Sequence, residues 1–360
     1  MPCPPADAST SRARLVLAAL AKKPGTAHLY GHPLLARRRG GRMVGGERQQ
    51  WSLGALAVSL PPVVRKPLGA RVLAVLHPVC AVLGVALLAV LVQRAGAEEL
   101  GRVLARAAPW LPLVLLLEVA RQGLDAVATW VAYGHRAREV PWHCMLRAQL
   151  ISTAVSSVAP GGRASGEATK AALLSPYTGG ATALAAAATS QAASLVSAGL
   201  VCLPCAFAAY LRTGASWLTL VLGVHALVLL LVGLGMHAGM HGRALPPTRP
   251  LVATLLGRTL QVAQYGTLAV AVGIDTTAVE ALLAQGLHLV SMVVGALVPG
   301  QFGVRDGAFA LSAPAFGTTP ARALSIALLA HGTQGLFVLL GSLTPLVWKV
   351  HPPSWAPHAR

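Results

Sequence analysis

Residues 158–173 read VAPGGRASGEATKAAL and set a Pro-Gly-Gly break, Arg163, Glu167 and Lys170 between two apolar runs. An arginine beside a broken helix places a charged donor next to the free N–H groups and positive dipole end of a new helix, a combination that binds anions. Residues 298–311, VPGQFGVRDGAFAL, repeat the arrangement with Pro299, Gly300 and Gly303 as breakers, Arg305 as cation and Asp306 as acid. The glycines Gly161, Gly162, Gly300 and Gly303 would let backbone N–H groups approach a ligand. Glu167 and Asp306 fall in the first turn after each break, and two roles stand for them. Each could hold an arginine in the empty site and release it to substrate, or carry a proton. Each could equally cap the new helix and balance Arg163 or Arg305.

A second polar group, Glu118, Arg121, Gln122 and Asp125, has spacings that share one helical face inside an apolar run. It could line a polar path or form an ion network that only holds helices together. The matching run further on has the uncharged Gln261 and Gln264. Cys202 and Cys205 make a CxxC in an apolar run around Pro204, which fits packing better than redox or metal chemistry. His237 and His241 are expected in a solvated loop, and His288 and His331 in helices, as core residues or as part of the polar path. No phosphate loop, dinucleotide motif or nucleophile elbow is present, so no catalytic residue, metal site or cofactor is expected.

These residues need a scaffold, and composition says which kind. The 360 residues are 55% hydrophobic and only 11% charged, with a mean hydropathy of +0.63, far from the roughly 25% charged residues of a soluble domain. Apolar runs able to span a bilayer occur near 72–92, 110–133, 182–211, 216–236, 251–274, 279–298 and 321–348, with a shorter one at 144–159. The expected fold is all-α and polytopic. The formal charge of +18 does not indicate nucleic-acid binding, because no soluble recognition domain remains; anionic headgroups are the expected partners. Residues 1–71 contain twelve Lys and Arg against Asp7 and Glu47, and are expected as a basic, largely disordered cytoplasmic tail. Residues 350–360 are expected as a short second one. No cleaved signal peptide is read.

Sliding the chain on itself by 139 residues lays 150–171 on 289–310, aligning Pro160-Gly161 with Pro299-Gly300 and Glu167 with Asp306. The membrane domain, 72–349, then divides into pseudo-repeats of about 72–210 and 211–349. If each Pro-Gly segment enters and turns back, each half has three spanning helices and the second half is inverted. That arrangement puts the tail, Arg136, Arg138, Arg243, Arg249 and Lys349 on the cytoplasmic side. Only the loop at 93–109, with Arg94, Arg102 and Arg106, opposes the positive-inside preference.

The paired segments PGGRASGEATKAALL and VPGQFGVRDGAFAL resemble those of the lysylphosphatidylglycerol synthase transmembrane-domain, or flippase-like, family. Gly166, Glu167 and Lys170 match the first motif, and Gly300, Gly303, Arg305 and Asp306 the second. Asp306 departs from the family's usual Glu, and the first break is extended. The resemblance implies a lipid transporter of the bacterial cytoplasmic membrane, not an enzyme, moving an anionic, aminoacylated or polyprenyl-phosphate-linked lipid. No room for the family's aminoacyl-transferase domain follows residue 349. The alternatives are the membrane half of a lipid-modifying enzyme working with a separate soluble transferase, and a non-transporting assembly protein with an envelope-synthesis partner.

Overall fold

The computed structural model describes residues 68–242 and 245–349, so the two tails lie outside the described residues, apart from the last few of 1–71. The described residues form eleven α-helices, four 3-10 turns and no strand. In chain order the helices are α1 (Leu68–Ala95), α2 (Ala97–Ala107), α3 (Leu111–Ala132), α4 (Trp142–Val158), α5 (Arg163–Thr178), α6 (Gly180–Thr213), α7 (Trp217–His241), α8 (Thr248–Ala271), α9 (Ala278–Val294), α10 (Val304–Leu311) and α11 (Pro320–Val347). Five stretches are long and apolar enough to cross a bilayer: Leu76–Ala95, Ala97–Ala132, Gly180–Thr213, Trp217–Met240 and Pro320–Val347. The protein is an all-α polytopic membrane protein. Helix α8 has the length at 24 residues, but its buried face carries Arg258, Gln261 and Gln264.

The exterior is apolar because its solvent is hydrocarbon. Val82, Leu83 and Val85 of α1 and Leu220, Leu227 and Leu231 of α7 are exposed large side chains that only lipid would accommodate. Helix α6 runs through the middle and packs on α5, α7, α8 and α9. Its buried positions are mostly Ala and Ser, including Ala186, Ser190, Ala193, Ser194 and Ser197. Small side chains let helix backbones approach closely, which replaces the hydrophobic driving force that lipid cannot supply. Gly341 of α11 goes further, since a Cβ there would strike the Leu150 carbonyl of α4.

Side-chain bonds gather the connections at two ends. At one end, Arg136 donates to the Thr178 carbonyl at 2.9 Å and Arg147 to the Trp348 carbonyl at 2.7 Å. At the other, Arg212 pairs with Glu280, Thr319 donates to Glu99 at 3.2 Å and Arg322 to the Gly273 carbonyl at 3.2 Å. Helices α4 and α5 start and finish at the first end as a hairpin whose tip, 159–162, lies inside. Helix α9 enters from the second end and stops inside, and α10 leads back there through the 3-10 turn Ala313–Phe316.

Two expectations need correction. Much of the segment expected as the loop 93–109 is helix α2, whose Leu100 and Ala107 are buried, so its arginines sit on an amphipathic helix packed against α8 and α11. His237 is buried inside α7, not in a loop, because the helix continues to Gly242, which closes it in a left-handed conformation at φ 65°. Cys202 and Cys205 are buried free thiols. Cys205 is in the close contact made by Gly286 of α9, as packing residues would be.

Candidate functional site

Both breaks open into one cavity of about 340 Å³, lined by α1, α3 to α11 and the tip of each hairpin. The first break forms because Gly161 (φ 92°) and Gly162 (φ 52°) occupy conformations that side-chain-bearing residues avoid. Ser165 Oγ donates to the Pro160 carbonyl at 2.6 Å, holding the tip. The second break is longer. The turn Pro299–Gln301 contains Gly300 at φ 61°, and Gln301 itself sits at φ 60°, a strained position for a residue with a side chain. Its side chain accepts from Arg305 Nη2 at 2.7 Å. Non-helical backbone is tolerated here because α1 covers it: a Cβ on Gly84 would come within 2.5 Å of the Phe302 carbonyl.

The expected residues divide into two sets. Glu118, Arg121, Asp125, Gly161, Gly162, Arg163, Glu167, Gly300 and Arg305 all line the cavity. Lys170, Gly303 and Asp306 do not. Lys170 is 1% exposed and lies behind the wall, donating to Glu167 Oε1 at 2.9 Å and to Thr129 Oγ1 at 3.0 Å. Gly303 faces α1, where a Cβ would meet the Gly84 carbonyl, and its N–H is taken by Asp306 Oδ2 at 2.8 Å. Asp306, fully buried, is the helix cap of α10 and receives His331 at 3.2 Å. Among the described residues no arginine is within salt-bridge reach of it, and the contacts it makes are those of the capping alternative. Glu167 is the fifth residue of α5, not in its first turn, which turns it toward the cavity.

The acidic side is neutralised within the protein. Arg121 reaches Glu118 at 2.5 Å and Asp125 at 2.8 Å, Arg163 reaches Asp125 at 3.1 Å, and Lys170 takes Glu167. Arg163 Nε stands 4.0 Å from Glu167, so the nearer partner of Arg163 is Asp125. The opposite side is different. Arg258 is 7% exposed and Arg305 2%, and among the described residues neither has a carboxylate in salt-bridge reach. Arg258 donates to Gln261 at 2.9 Å and Ser194 at 3.1 Å; Arg305 donates to Gln301 and, at 3.1 Å, to Gln334. Buried guanidiniums held only by neutral acceptors keep most of their attraction for an anion.

Gln334 of α11 also donates to Ser157 Oγ at 3.1 Å, so one side chain ties the first hairpin's tip to Arg305 of the second. Arg258, Gln334, Gln149 and Gln191 were missed by sequence reasoning. A visible signal existed for Arg258, a charge in the middle of an apolar run, which is a functional pointer in itself. No such signal marks the glutamines, whose positions matter only because α4, α6 and α11 converge. His288 lines the cavity and contacts Gln261 at 3.0 Å, whereas His331 stacks on Phe302 at 4.8 Å behind it.

No curated protein and no solved structure matches the chain. The second break lies outside the residues that a family model matches. Residues 77–245, a little under half of the chain and including the first break, match the family described as Lysylphosphatidylglycerol synthase TM region.

Proposed function

We propose that the protein is a lipid transporter that carries an anionic lipid headgroup through the cavity across a bacterial cytoplasmic membrane, without itself catalysing a reaction. The family ties the chain to lipid modification or flipping. The observation that carries the transport reading is the pair Arg258 and Arg305, buried, facing one cavity and lacking carboxylate partners among the described residues. Uncompensated buried guanidiniums cost several kcal/mol unless an anion arrives, and a headgroup phosphate would supply bidentate, charge-assisted bonds. The apolar exterior leaves the acyl chains in lipid while the headgroup crosses. Asp125, Arg163 and Glu167 form the exchangeable pair set at the first tip.

The test is reconstitution in liposomes with an anionic lipid labelled on its headgroup, followed by an impermeant quencher. The wild type should expose inner-leaflet label, and Arg258→Gln and Arg305→Gln should each slow that exposure about tenfold or more, one lost charge-assisted contact being worth over a decade in binding. Equal rates in folded wild type, both variants and empty liposomes would end the transport reading. The family's description favours one second reading: the same cavity presents the lipid to a separate soluble transferase. A purified transferase whose activity rises only when this protein shares its vesicle would support that reading.

A further inference from the structure

The cavity wall has two hydrogen-bond polarities, each set by a charge at the head of an amide relay. On α3, Gln122 Nε2 donates to Glu118 at 3.0 Å. The Gln122 oxygen therefore faces away, where it accepts from Gln149 Nε2 at 2.9 Å and Thr153 Oγ1 at 3.0 Å. Gln149 Oε1 is left buried with no partner. On α8, the Gln261 oxygen accepts from Arg258 and, at 3.1 Å, from Gln285. Its Nε2 must then donate to His288 Nε2 at 3.0 Å. That ring nitrogen is the unprotonated one, so His288 is neutral with its hydrogen on Nδ1, and Nδ1 is buried with no partner. Gln122 and Gln261, and Gln149 and His288, are each 139 residues apart. The α3 relay reaches the cavity lining with the acceptor Gln149 Oε1, whereas the α8 relay reaches it with the donor His288 Nδ1, its other end, Gln285 Oε1, being an acceptor on a residue outside the lining.

Among the cavity-lining residues Glu167 Oε2 and Gln191 Oε1 are further acceptors, and Arg163 Nε and Arg305 Nε further donors, with no hydrogen-bond partner, so donors and acceptors both remain open to a ligand. The charges add a second constraint. Glu118, Asp125 and Glu167 are balanced by Arg121, Arg163 and Lys170. Arg258 and Arg305 add two positive charges, and Asp306 removes one, leaving a single buried positive charge in excess. A monoanion cancels it; a cationic headgroup would add to it.

We propose that the cavity selects a monoanionic phosphodiester headgroup bearing free hydroxyls, and rejects aminoacylated headgroups. The phosphoryl oxygens take Arg258, Arg305 and His288 Nδ1–H, and the hydroxyls donate to Gln149 Oε1 and Glu167 Oε2. This rests on the anionic-lipid reading of the same cavity. It narrows that reading, because an ammonium has no unbalanced carboxylate to meet.

The test is ligand-induced thermal stabilisation of the full-length protein in detergent, with short-chain phosphatidylglycerol, its lysyl ester, phosphatidylethanolamine, phosphatidic acid and soluble glycerol phosphate as probes. Phosphatidylglycerol should bind at least about tenfold more tightly than the lysyl ester or phosphatidylethanolamine. Gln149→Leu, which removes the acceptor Oε1 together with the bond to Gln122, should erase the advantage of phosphatidylglycerol over phosphatidic acid, whose headgroup has no hydroxyl to donate there. Arg258→Gln should weaken both. Equal affinity for the lysyl ester, or an unchanged preference in Gln149→Leu, would overturn the selectivity. If transport persists with such a flat profile, the transport reading survives and only the selectivity fails. Selective binding without transport leaves the reverse. Glycerol phosphate binding as tightly as the lipid would uphold the headgroup chemistry and overturn the lipid as its source.

Discussion

At the scale of single residues, the chemistry follows from which charges are already spoken for. Lys170 looks like a ligand cation in sequence, yet its ammonium is consumed by Glu167 and Thr129. Asp306 sits in a motif and still does a structural task, closing the Gly303 N–H at the start of α10. Asp306→Ala should therefore lower thermal stability by about 1 kcal/mol or more from the lost cap, and the loss of its buried charge should move headgroup preference only from monoanion toward dianion. A change in lipid selectivity at full stability would instead return Asp306 to the site.

Arg258 behaves oppositely: it stands in an apolar helix with only Gln261 and Ser194 as partners, so its replacement should spare the fold and remove anion binding. The polar face Glu118, Arg121 and Asp125 was legible from spacing alone, since positions three and four apart share one side of a helix. Their mutual neutralisation was not legible, because it depends on Arg163 arriving from α5 at 3.1 Å.

At the scale of elements, small residues decide how closely the hairpins can be held. Gly341 of α11 lies where any Cβ would collide with the Leu150 carbonyl of α4, whereas Gly335, nearly two turns earlier on the same helix, faces open space. Gly341→Val should destabilise by about 1–3 kcal/mol through forced separation of α4 and α11, and Gly335→Ala should be neutral or slightly stabilising. Thermal unfolding of the two variants in one detergent gives the comparison; similar losses would mean that close packing at Gly341 is not what holds α4. The Pro-Gly breaks and the helices flanking them could be anticipated, since α4 ends at Val158 and α5 starts at Arg163, on either side of Pro160, Gly161 and Gly162. The cover over the second break could not, because Gly84 lies more than two hundred residues away from Phe302 in sequence.

At the scale of the whole molecule, the bonds at its two ends separate Arg136 and Thr178 from Arg212, Glu280 and Gly273. The twelve Lys and Arg of residues 1–71 precede most of α1, and we predict from the positive-inside preference that the end holding Arg136 faces the cytoplasm. In a background with the five native cysteines replaced, Asp275→Cys should react with an impermeant maleimide added to intact cells. Arg138→Cys should react only after permeabilisation. Labelling of both from outside would refute the two-ended arrangement.

By itself the sequence determined that the chain is helical and embedded in a membrane, because hydrocarbon accepts only backbones that satisfy their own hydrogen bonds. It also determined where the chain breaks, because proline and paired glycines leave few alternatives to a turn there. Only the tertiary structure decided that the two breaks share a cavity and that Gln334 bridges them. It alone decided which cations remain unpaired within that cavity. Pairing is a matter of a few ångströms between α3, α5, α8 and α10, and distances between separate helices are set by packing of small residues, which no local pattern in the chain encodes.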